Sequence, residues 1–254
     1  MTQENKIALV TGSSRGLGKN TALALAQKGV GVIVTYLNNE AAANEVVSEI
    51  EGLGSKAAML HLNSGDISSL PKFAESVKQV LQTVWQRNRF DYLVNNAGIG
   101  LHQPFTEVTE ADFDLLYNMH VKGVFFLTQK LLPMLNDGGR IVNISSGLTR
   151  FSLPGYSTYA SAKGAIEVLT SYMAKELGSR QIRVNAVAPG AIETDFGGGA
   201  VRDNQDLNNF VASQTALGRV GLPDDIGGAI SSLLADENGW ITGQRIEISG
   251  GMYL

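Results

Sequence analysis

A tyrosine and a lysine that could exchange a proton with a substrate stand four residues apart, at Tyr159 and Lys163. In a helix this spacing places both side chains on one face, one turn apart. A free phenol has a pKa of about 10, and a lysine ammonium about 4 Å away favours the phenolate by about 4 kcal/mol. The pair is therefore predicted to bring the phenol pKa towards neutral pH, where a general acid or base is most effective. Of the seven tyrosines only Tyr159 has this spacing, which is a weak signal by itself.

Further polar positions could complete such a site. Ser146 closes a strand-like segment upstream of Tyr159, and its hydroxyl could orient a substrate carbonyl, because ligands bind beyond the carboxyl ends of parallel strands. Ser145 is the alternative, and strand alternation would point the two side chains to opposite faces. Asn118 lies inside a helical pattern, where asparagine has a poor propensity, so a polar role or a kink would explain it. Residues 95–98, Asn-Asn-Ala-Gly, follow another strand-like segment and could brace the same crevice.

A glycine-rich turn follows the first strand-like segment and opens the first helical one. Residues 11–18 read Thr-Gly-Ser-Ser-Arg-Gly-Leu-Gly. Glycines in this position let backbone N–H groups approach a pyrophosphate at the helix N-terminus, where the helix dipole favours negative charge. The spacing differs from the general G-x-G-x-x-G fingerprint, and an ordinary glycine-rich connection is the alternative. The context between strand and helix favours a dinucleotide site.

The choice between the two nicotinamide cofactors depends on the end of the second strand. An enzyme that selects NAD places a carboxylate there to bind the ribose hydroxyls. This chain reads Val-Thr-Tyr-Leu-Asn-Asn over residues 34–39, and no carboxylate precedes Glu40. Arg15 in the glycine turn is available to pair with a 2′-phosphate. The sequence therefore favours NADPH/NADP+, with NADH the less favoured cofactor.

Composition excludes several classes of protein. The 254 residues are 44% hydrophobic and 17% charged, which is enough apolar material for a large core and excludes a disordered chain. A net charge of −4 disfavours a nucleic-acid partner. The chain has no cysteine, so disulfides and thiolate metal sites are excluded, and its three histidines are too scattered for a metal site. The polar N-terminus and the lack of a membrane-length apolar run predict a cytoplasmic protein with no membrane partner.

Strand-like and helical patterns alternate along the chain. Short apolar runs typical of buried strands occupy residues 7–11, 30–36, 56–62, 92–95, 140–145, 182–187 and 245–249, and helical patterns occupy residues 18–28, 40–53, 71–85, 110–135, 159–177 and 223–235. This alternation predicts one doubly wound α/β domain over residues 1–254, with about seven parallel strands and helices on both faces.

Two segments stand apart from this pattern. Residues 190–218 show no clear periodicity and contain three consecutive glycines, which predicts a lid over the substrate. Residues 113–135 are apolar around nearly the whole helix circumference, which indicates burial against a second subunit. Four side chains between Ser146 and Tyr159 are candidates for an apolar substrate pocket: Leu148, Phe151, Leu153 and Tyr156.

Taken together, the motifs resemble the short-chain dehydrogenase/reductase family. The resemblance rests on residues 11–18, residues 95–98, Ser146, the Tyr159–Lys163 pair and Pro189-Gly190, and it covers essentially the whole chain. The likeness is strongest to the branch typified by 3-oxoacyl-carrier-protein reductases. It implies a Rossmann-type fold and a homotetramer or homodimer.

The resemblance also implies a role for each motif residue. Tyr159 would be the general acid and base, Lys163 its pKa modulator and a ribose ligand, Ser146 the group that polarises the substrate oxygen, and Asn118 the holder of a proton-relay water. The cofactor would lie against Gly12, Ser14, Arg15, Gly16, Leu17, Gly18, Tyr36, Asn63, Asn96, Ala97, Gly98, Tyr159, Lys163, Pro189, Gly190, Ile192 and Thr194. Where the family usually has Asp-Val near the adenine, this chain reads Leu-Asn-Ser over residues 62–64.

The implied function is an oxidoreductase that transfers hydride between NADP(H) and a carbonyl/secondary alcohol pair. A 3-oxoacyl thioester is one expected substrate, and a sugar, a polyol or a steroid-like alcohol is the alternative. A non-catalytic NADP-binding regulator is a remote alternative, because the residues that such a regulator would lose are all present.

Overall fold

A sheet of seven parallel strands forms the centre of the protein. The computed structural model describes residues 6–254. In chain order the strands are β1 Ile7–Val10, β2 Gly31–Tyr36, β3 Ala57–His61, β4 Phe90–Asn95, β5 Leu135–Ile144, β6 Arg183–Pro189 and β7 Arg245–Ile248. They lie in the order β3-β2-β1-β4-β5-β6-β7, so the winding reverses between β1 and β4. This reversal opens a crevice beyond the carboxyl ends of the two strands, and the doubly wound α/β fold expected from the sequence is confirmed.

Helices pack on both faces of the sheet. They are α1 Gly16–Ala26, α2 Glu40–Gly52, α3 Leu70–Trp85, α4 Glu110–Tyr117, α5 Gly123–Leu131, α6 Ser157–Glu176, α7 Ala200–Asp203, α8 Gln205–Ser213 and α9 Pro223–Leu233. One core cluster joins the sheet to α1, α2 and α9, and a second joins it to α3, α5 and α6. The side chains of β1 alternate between the two faces of the sheet, so that Ala8 and Val10 belong to the first cluster and Ile7 and Leu9 to the second. Burial on both faces explains why the strands are apolar throughout.

The helical segment predicted over residues 110–135 is confirmed as far as Met134, but it is not one uniform α-helix. Helix α4 is followed by a π-helical turn, Asn118–Lys122, then by α5, and β5 already begins at Leu135. The π turn inserts one extra residue into the helix. At its end Gly123 packs against the backbone carbonyl of Ser64, where a β-carbon would not fit. The start of β5 was missed because its first residues, Leu-Asn-Asp-Gly-Gly, are mostly polar or glycine and pair irregularly with β4.

The segment over residues 190–218 has more regular structure than its sequence indicates. A 3₁₀ turn, Phe196–Gly199, leads into α7 and α8. The three consecutive glycines all have positive φ, from 62° to 78°, which glycine adopts without strain. Helix α8 buries Val211 against Val220 and Met252. A short amphipathic helix has too few turns to show a clear period, so only the packing reveals it; the lid function remains a prediction.

Two adjacent glycines in α9 provide a test of how closely α1 and α9 pack. A β-carbon on Gly227 would lie 2.8 Å from the carbonyl carbon of Asn20 in α1, whereas none of the surrounding atoms lies within 4 Å of a β-carbon on Gly228. We expect Gly227→Ala to lower the free energy of unfolding by about 1–3 kcal/mol through overpacking. Its matched control, Gly228→Ala, should raise it by about 0.5–1 kcal/mol through helix propensity. Urea unfolding of both variants measures the difference, and equal effects would contradict the close packing.

Candidate active site

The glycine turn lies directly against the segment that follows β4. A β-carbon on Gly12 would lie 2.9 Å from the Ala97 Cα, and one on Gly18 would lie 2.5 Å from the Asn96 amide nitrogen. Gly12 also has a φ of 61°, which a larger residue rarely adopts. Only glycine therefore allows the two backbone segments to approach this closely.

Hydrogen bonds hold the same two segments in register. The Asn96 side-chain amide donates to the carbonyls of Thr11 and Gly12 at 2.8 and 3.1 Å, and the Thr11 hydroxyl accepts from the backbone N–H groups of Asn96 and Ala97. Asn95 points the other way and donates to Asn143 on β5 at 2.8 Å. The adjacent asparagines thus brace the turn and the sheet, as the sequence indicates.

The N-terminus of α1 has the properties of an anion site. Its N-cap residue is Arg15, no side chain caps the helix, and its first turn contains no acidic residue. The first N–H groups of a helix have no intrahelical acceptors, and the helix dipole favours an anion near them. Ser14 and Gly16 are half-buried in the turn, and Leu17 packs against the core. The cradle therefore fits a diphosphate.

The groups expected near the adenosine lie in the glycine turn and at the ends of β2 and β3. The Arg15 side chain is 74% exposed and lies 3.8 Å from the Asp195 carboxylate. Tyr36 ends β2 and packs edge-on against His61, with 5.7 Å between the ring centroids. The Asn63 side-chain oxygen accepts a hydrogen bond from the Gly65 N–H at 3.1 Å. The Asn63 oxygen is thus engaged locally, which leaves its amide N–H groups available.

Residues beyond β6 form the opposite side of the crevice. Pro189 ends β6, and Gly190 packs so closely on Ser249 that a β-carbon would lie 2.9 Å from the Ser249 Cα. Ile192 pairs with Gly221 and contacts the core. Thr194 lies across from the glycine turn, 3.9 Å from the position of a β-carbon on Gly16. The segment after β6 thus returns to the N-terminus of α1.

Strand alternation decides between the two serines at the end of β5. The Ser145 hydroxyl donates to Glu167 at 2.6 Å. Ser146 instead faces the crevice, where its side chain is hydrogen-bonded to Tyr159 and accepts from the Leu148 N–H. The structure therefore brings Ser146, and not Ser145, to the phenol.

Tyr159 and Lys163 are both buried on α6. The Lys163 ammonium donates to the Ile144 carbonyl at 2.8 Å and lies 5.6 Å from the Tyr159 ring centroid. Burial raises the pKa of Tyr159 above its ordinary value, and the hydrogen bond with Ser146 opposes this effect. Burial lowers the pKa of Lys163 to about 7. The expected fall in the phenol pKa is therefore wrong for this geometry, because desolvation outweighs the attraction of a lysine that is held on a backbone carbonyl.

A histidine that was not predicted to belong to the site lies in the same cluster as Tyr159 and Lys163. His120, in the π turn, is 1% exposed, and its ring meets the Tyr159 ring edge-on at 5.3 Å. Asn118 begins this turn, and its backbone carbonyl accepts the Gly123 N–H. The Tyr159 ring contacts His120 and its hydroxyl is hydrogen-bonded to Ser146, whereas the relay role of Asn118 stays a prediction. The sequence hints at the contact of His120 only through the presence of a histidine in a mostly apolar helical pattern. The π turn that directs the His120 side chain inwards has no signal in the sequence.

Aromatic side chains stand beside the phenol on the open side of the crevice. The Phe196 ring centroid lies 5.7 Å from that of Tyr159. Further out, His102 packs edge-on against Tyr156 at 5.0 Å. Phe151 turns towards the C-terminus and packs on Tyr253, with 4.7 Å between centroids. Phe196 therefore gives the crevice an aromatic surface next to Tyr159.

Within residues 6–254, no group of three or more histidine or acidic side chains is arranged to hold a metal ion. None of the helices described for these residues combines the length and apolar character needed to cross a bilayer.

Known proteins resemble this chain over almost its full length. The family model described as enoyl-(acyl carrier protein) reductase matches residues 12–253. A hydroxynaphthalene reductase-like protein from Metarhizium brunneum is 36% identical over 257 residues, which cover 97% of this chain and 94% of the relative.

Solved structures agree with this match. The promiscuous reductase LugOII, which catalyses keto-reduction at C1 during lugdunomycin biosynthesis, is 39% identical with a TM-score of 0.94 and full coverage of both chains. The landomycin C-6 ketoreductase LanV, solved with NADP and rabelomycin, is 36% identical with a TM-score of 0.89, covering 98% of this chain and 96% of its own. The match over residues 12–253 and these identities show that the protein belongs to the short-chain dehydrogenase/reductase family.

Proposed function

We propose that the protein is an NADP(H)-dependent ketoreductase that reduces a ketone on a polycyclic aromatic small molecule. The observation that carries the proposal is the aromatic surface next to the proton donor, where Phe196 lies 5.7 Å from Tyr159. Flat apolar substrates gain from stacking on such rings. The solved ketoreductase that holds NADP and rabelomycin supports the same class of substrate.

The cofactor proposal rests on the fit of the glycine turn. Gly12 and Gly18 let the turn pack closely on the segment after β4, no atom that packs against the turn from residues 6–254 lies closer than 3.9 Å to the β-carbon position of Gly16, and the uncapped start of α1 would offer N–H groups to a diphosphate. Arg15 would exchange its 3.8 Å contact with Asp195 for a 2′-phosphate. The remaining proposed cofactor contacts are Ser14, Leu17, Tyr36, Asn63, Asn96, Ala97, Gly98, Tyr159, Lys163, Pro189, Gly190, Ile192 and Thr194. NADPH, when bound, supplies the hydride for the carbonyl carbon.

The chain's own residues supply the proton. Because burial raises the pKa of Tyr159, the phenol is protonated at neutral pH. Its O–H donates to the substrate carbonyl oxygen, and Ser146, which is hydrogen-bonded to Tyr159, holds that oxygen in reach. The proton leaves the phenol as the carbonyl oxygen becomes the hydroxyl of a secondary alcohol. The Lys163 ammonium stabilises the phenolate that remains.

Exposed apolar side chains on the helices at one face of the sheet indicate how the protein associates with itself. Phe113, Leu115 and Phe125 on α4 and α5, and Val168 on α6, are 42–61% exposed. Large exposed apolar side chains that cluster on a monomer mark an interface. We therefore propose a homodimer or homotetramer that covers this surface, which size-exclusion chromatography with light scattering would detect.

Replacing the phenol tests the proton donor. We expect Tyr159→Phe to lower kcat by about 10²–10⁴-fold, the usual contribution of a general acid. The Kd for NADPH, measured by quenching of intrinsic fluorescence, should change less than about twofold, because the ring and its packing remain. Tyr172→Phe on the exposed side of α6 is the matched control and should behave as the parent protein. Full activity of Tyr159→Phe would disprove the mechanism.

Replacing the arginine of the glycine turn tests the cofactor preference. Arg15→Ala should weaken NADPH binding about tenfold or more and leave NADH binding nearly unchanged, since only NADPH carries the 2′-phosphate. Lys28→Ala, beyond the far end of α1, is the control for a general loss of positive charge. An equal loss for both cofactors would mean that Arg15 does not contact the 2′-phosphate.

A substrate panel separates the proposed substrate class from its alternatives. 2-Tetralone, a 3-oxoacyl thioester, a sugar and a steroid ketone are compared with NADPH at the nicotinamide absorbance. We expect 2-tetralone to be favoured and Phe196→Ala to raise its KM about tenfold, while the NADPH Kd stays within about twofold. Phe210→Ala on α8 is the control for loss of an exposed phenylalanine in the same segment. A preference for the thioester would replace the aromatic ketone as the substrate class, and binding of NADPH without turnover would favour a regulator.

A further inference from the structure

One carboxylate oxygen on α6 lies beneath the turn that carries Ser146. The Glu167 Oε1 accepts hydrogen bonds from the Ser145 hydroxyl at 2.6 Å and from the Thr149 hydroxyl at 2.8 Å. The same oxygen accepts the Arg245 Nε–H at 2.7 Å. Ser145 is 1% exposed, and the side chains of Glu167 and Arg245 are 20% and 25% exposed. Donors from the end of β5, from the turn after it and from β7 therefore converge on one oxygen.

The turn after β5 is attached to this carboxylate at both of its ends. The Thr149 hydroxyl lies within hydrogen-bond distance of two acceptors, the Glu167 Oε1 at 2.8 Å and the Ser146 carbonyl at 2.9 Å. It has one proton to donate, and the charged carboxylate is the stronger acceptor. The Arg245 Nη2 donates to the Ser146 carbonyl at 3.3 Å. Glu167 thus holds the turn directly at Thr149 and through Arg245 at Ser146.

The same two elements also meet at the reacting groups. Helix α6 carries Tyr159 and, about two turns further on, Glu167. Ser146 is hydrogen-bonded to Tyr159, and its side-chain oxygen accepts the Leu148 N–H at 3.2 Å. The turn and the helix are therefore bridged twice, once by the Ser146–Tyr159 bond and once by Glu167. The second bridge restricts the movement of the serine relative to the phenol.

Beyond the turn the network continues to the C-terminal residues. Arg150 forms a double ion pair with Glu247, with both N–O distances at 2.7 Å, and donates to the carbonyls of residues 252 and 253. Glu247 also accepts from the Arg245 Nη1 at 3.0 Å. Arg150 is thus a second candidate for the anchor of the turn, and the experiment has to separate it from Glu167.

We propose that Glu167 is a positioning residue of the reduction, whose carboxylate fixes the turn after β5 so that Ser146 stays hydrogen-bonded to Tyr159. The proposal rests on the proposed function, in which Tyr159 donates the proton and Ser146 holds the substrate oxygen. Glu167 acts through Ser146 and is not itself a catalytic residue. Its contribution is expected to be substantial, because a displacement of about 1 Å at a reacting group can cost about 10²-fold in rate.

A double-mutant cycle tests whether Glu167 acts through Ser146. The measured quantity is the single-turnover rate of 2-tetralone reduction by the NADPH complex. We expect Glu167→Ala to lower this rate about tenfold in the parent protein but less than about twofold in the Ser146→Ala background, where no serine hydroxyl remains to be positioned. The NADPH Kd should stay within about twofold, since the loss is confined to the chemical step. Glu176→Ala, at the exposed end of α6, is the matched control and should behave as the parent protein.

Two milder variants carry the same cycle if Glu167→Ala does not fold. Glu167→Gln keeps an oxygen acceptor and loses the charge, and Thr149→Val removes only a hydroxyl. Each should lower the rate about threefold, again only where Ser146 is present. Hydrogen exchange of peptides from residues 147–151 provides a measurement without substrate, and we expect exchange about tenfold faster in the Glu167 variants than in the parent protein.

Three outcomes overturn the proposal. An equal loss of rate in both backgrounds would show that Glu167 supports the fold in general and not Ser146. Parent-like rates and exchange in the Glu167 variants would show that the carboxylate does not hold the turn. A loss confined to Arg150→Ala would move the anchor to the C-terminal residues. Failure of the proposed function is distinguishable, because the parent protein itself would then bind NADPH without reducing any ketone, while hydrogen exchange would still report on the turn.

Discussion

The site depends on the close approach of two backbone segments beyond the carboxyl ends of β1 and β4. Gly12 and Gly18 contact Ala97 and Asn96 at distances that exclude a β-carbon, and the side chains of Thr11 and Asn96 tie the segments together. Because β1 and β4 are neighbours at the point where the winding reverses, this contact closes the floor of the crevice. The helix that could bind an anion and the loop that carries Gly98 are positioned by the same contact.

Burial determines which protonation states are favoured for the three titratable side chains in this crevice. Tyr159, Lys163 and His120 are each less than 10% exposed. For each of them desolvation is the largest influence on the pKa, and it favours the uncharged form: a protonated phenol, a lysine with a pKa of about 7 and a neutral imidazole. A phenol kept protonated suits donation of a proton to a carbonyl oxygen. Conversion of the phenol to phenolate then needs a nearby cation. Lys163, whose ammonium donates to the Ile144 carbonyl, is the candidate.

The local pattern of residues predicts some elements of this fold and leaves no trace of others. The seven strands were located because burial on both faces demands continuous apolar runs, as in β1 and β4. The start of β5 at Leu135 and the helix α8 were missed, since polar and glycine residues or a short helix leave no periodic signal. Strand alternation predicted that Ser145 and Ser146 point to opposite faces, and only the structure shows that Ser146 is the one next to the phenol.

By itself the sequence determined the fold class, the glycine turn and the Tyr159–Lys163 pair, because these follow from local spacing along strands and helices. The tertiary structure decided which way the phenol pKa moves, since desolvation is a property of the packed interior. It also decided that His120 contacts the phenol. Asn118 was expected at the site from its poor helix propensity and from the family resemblance, whereas the π turn that brings His120 to the phenol depends on packing and leaves no signal in the sequence.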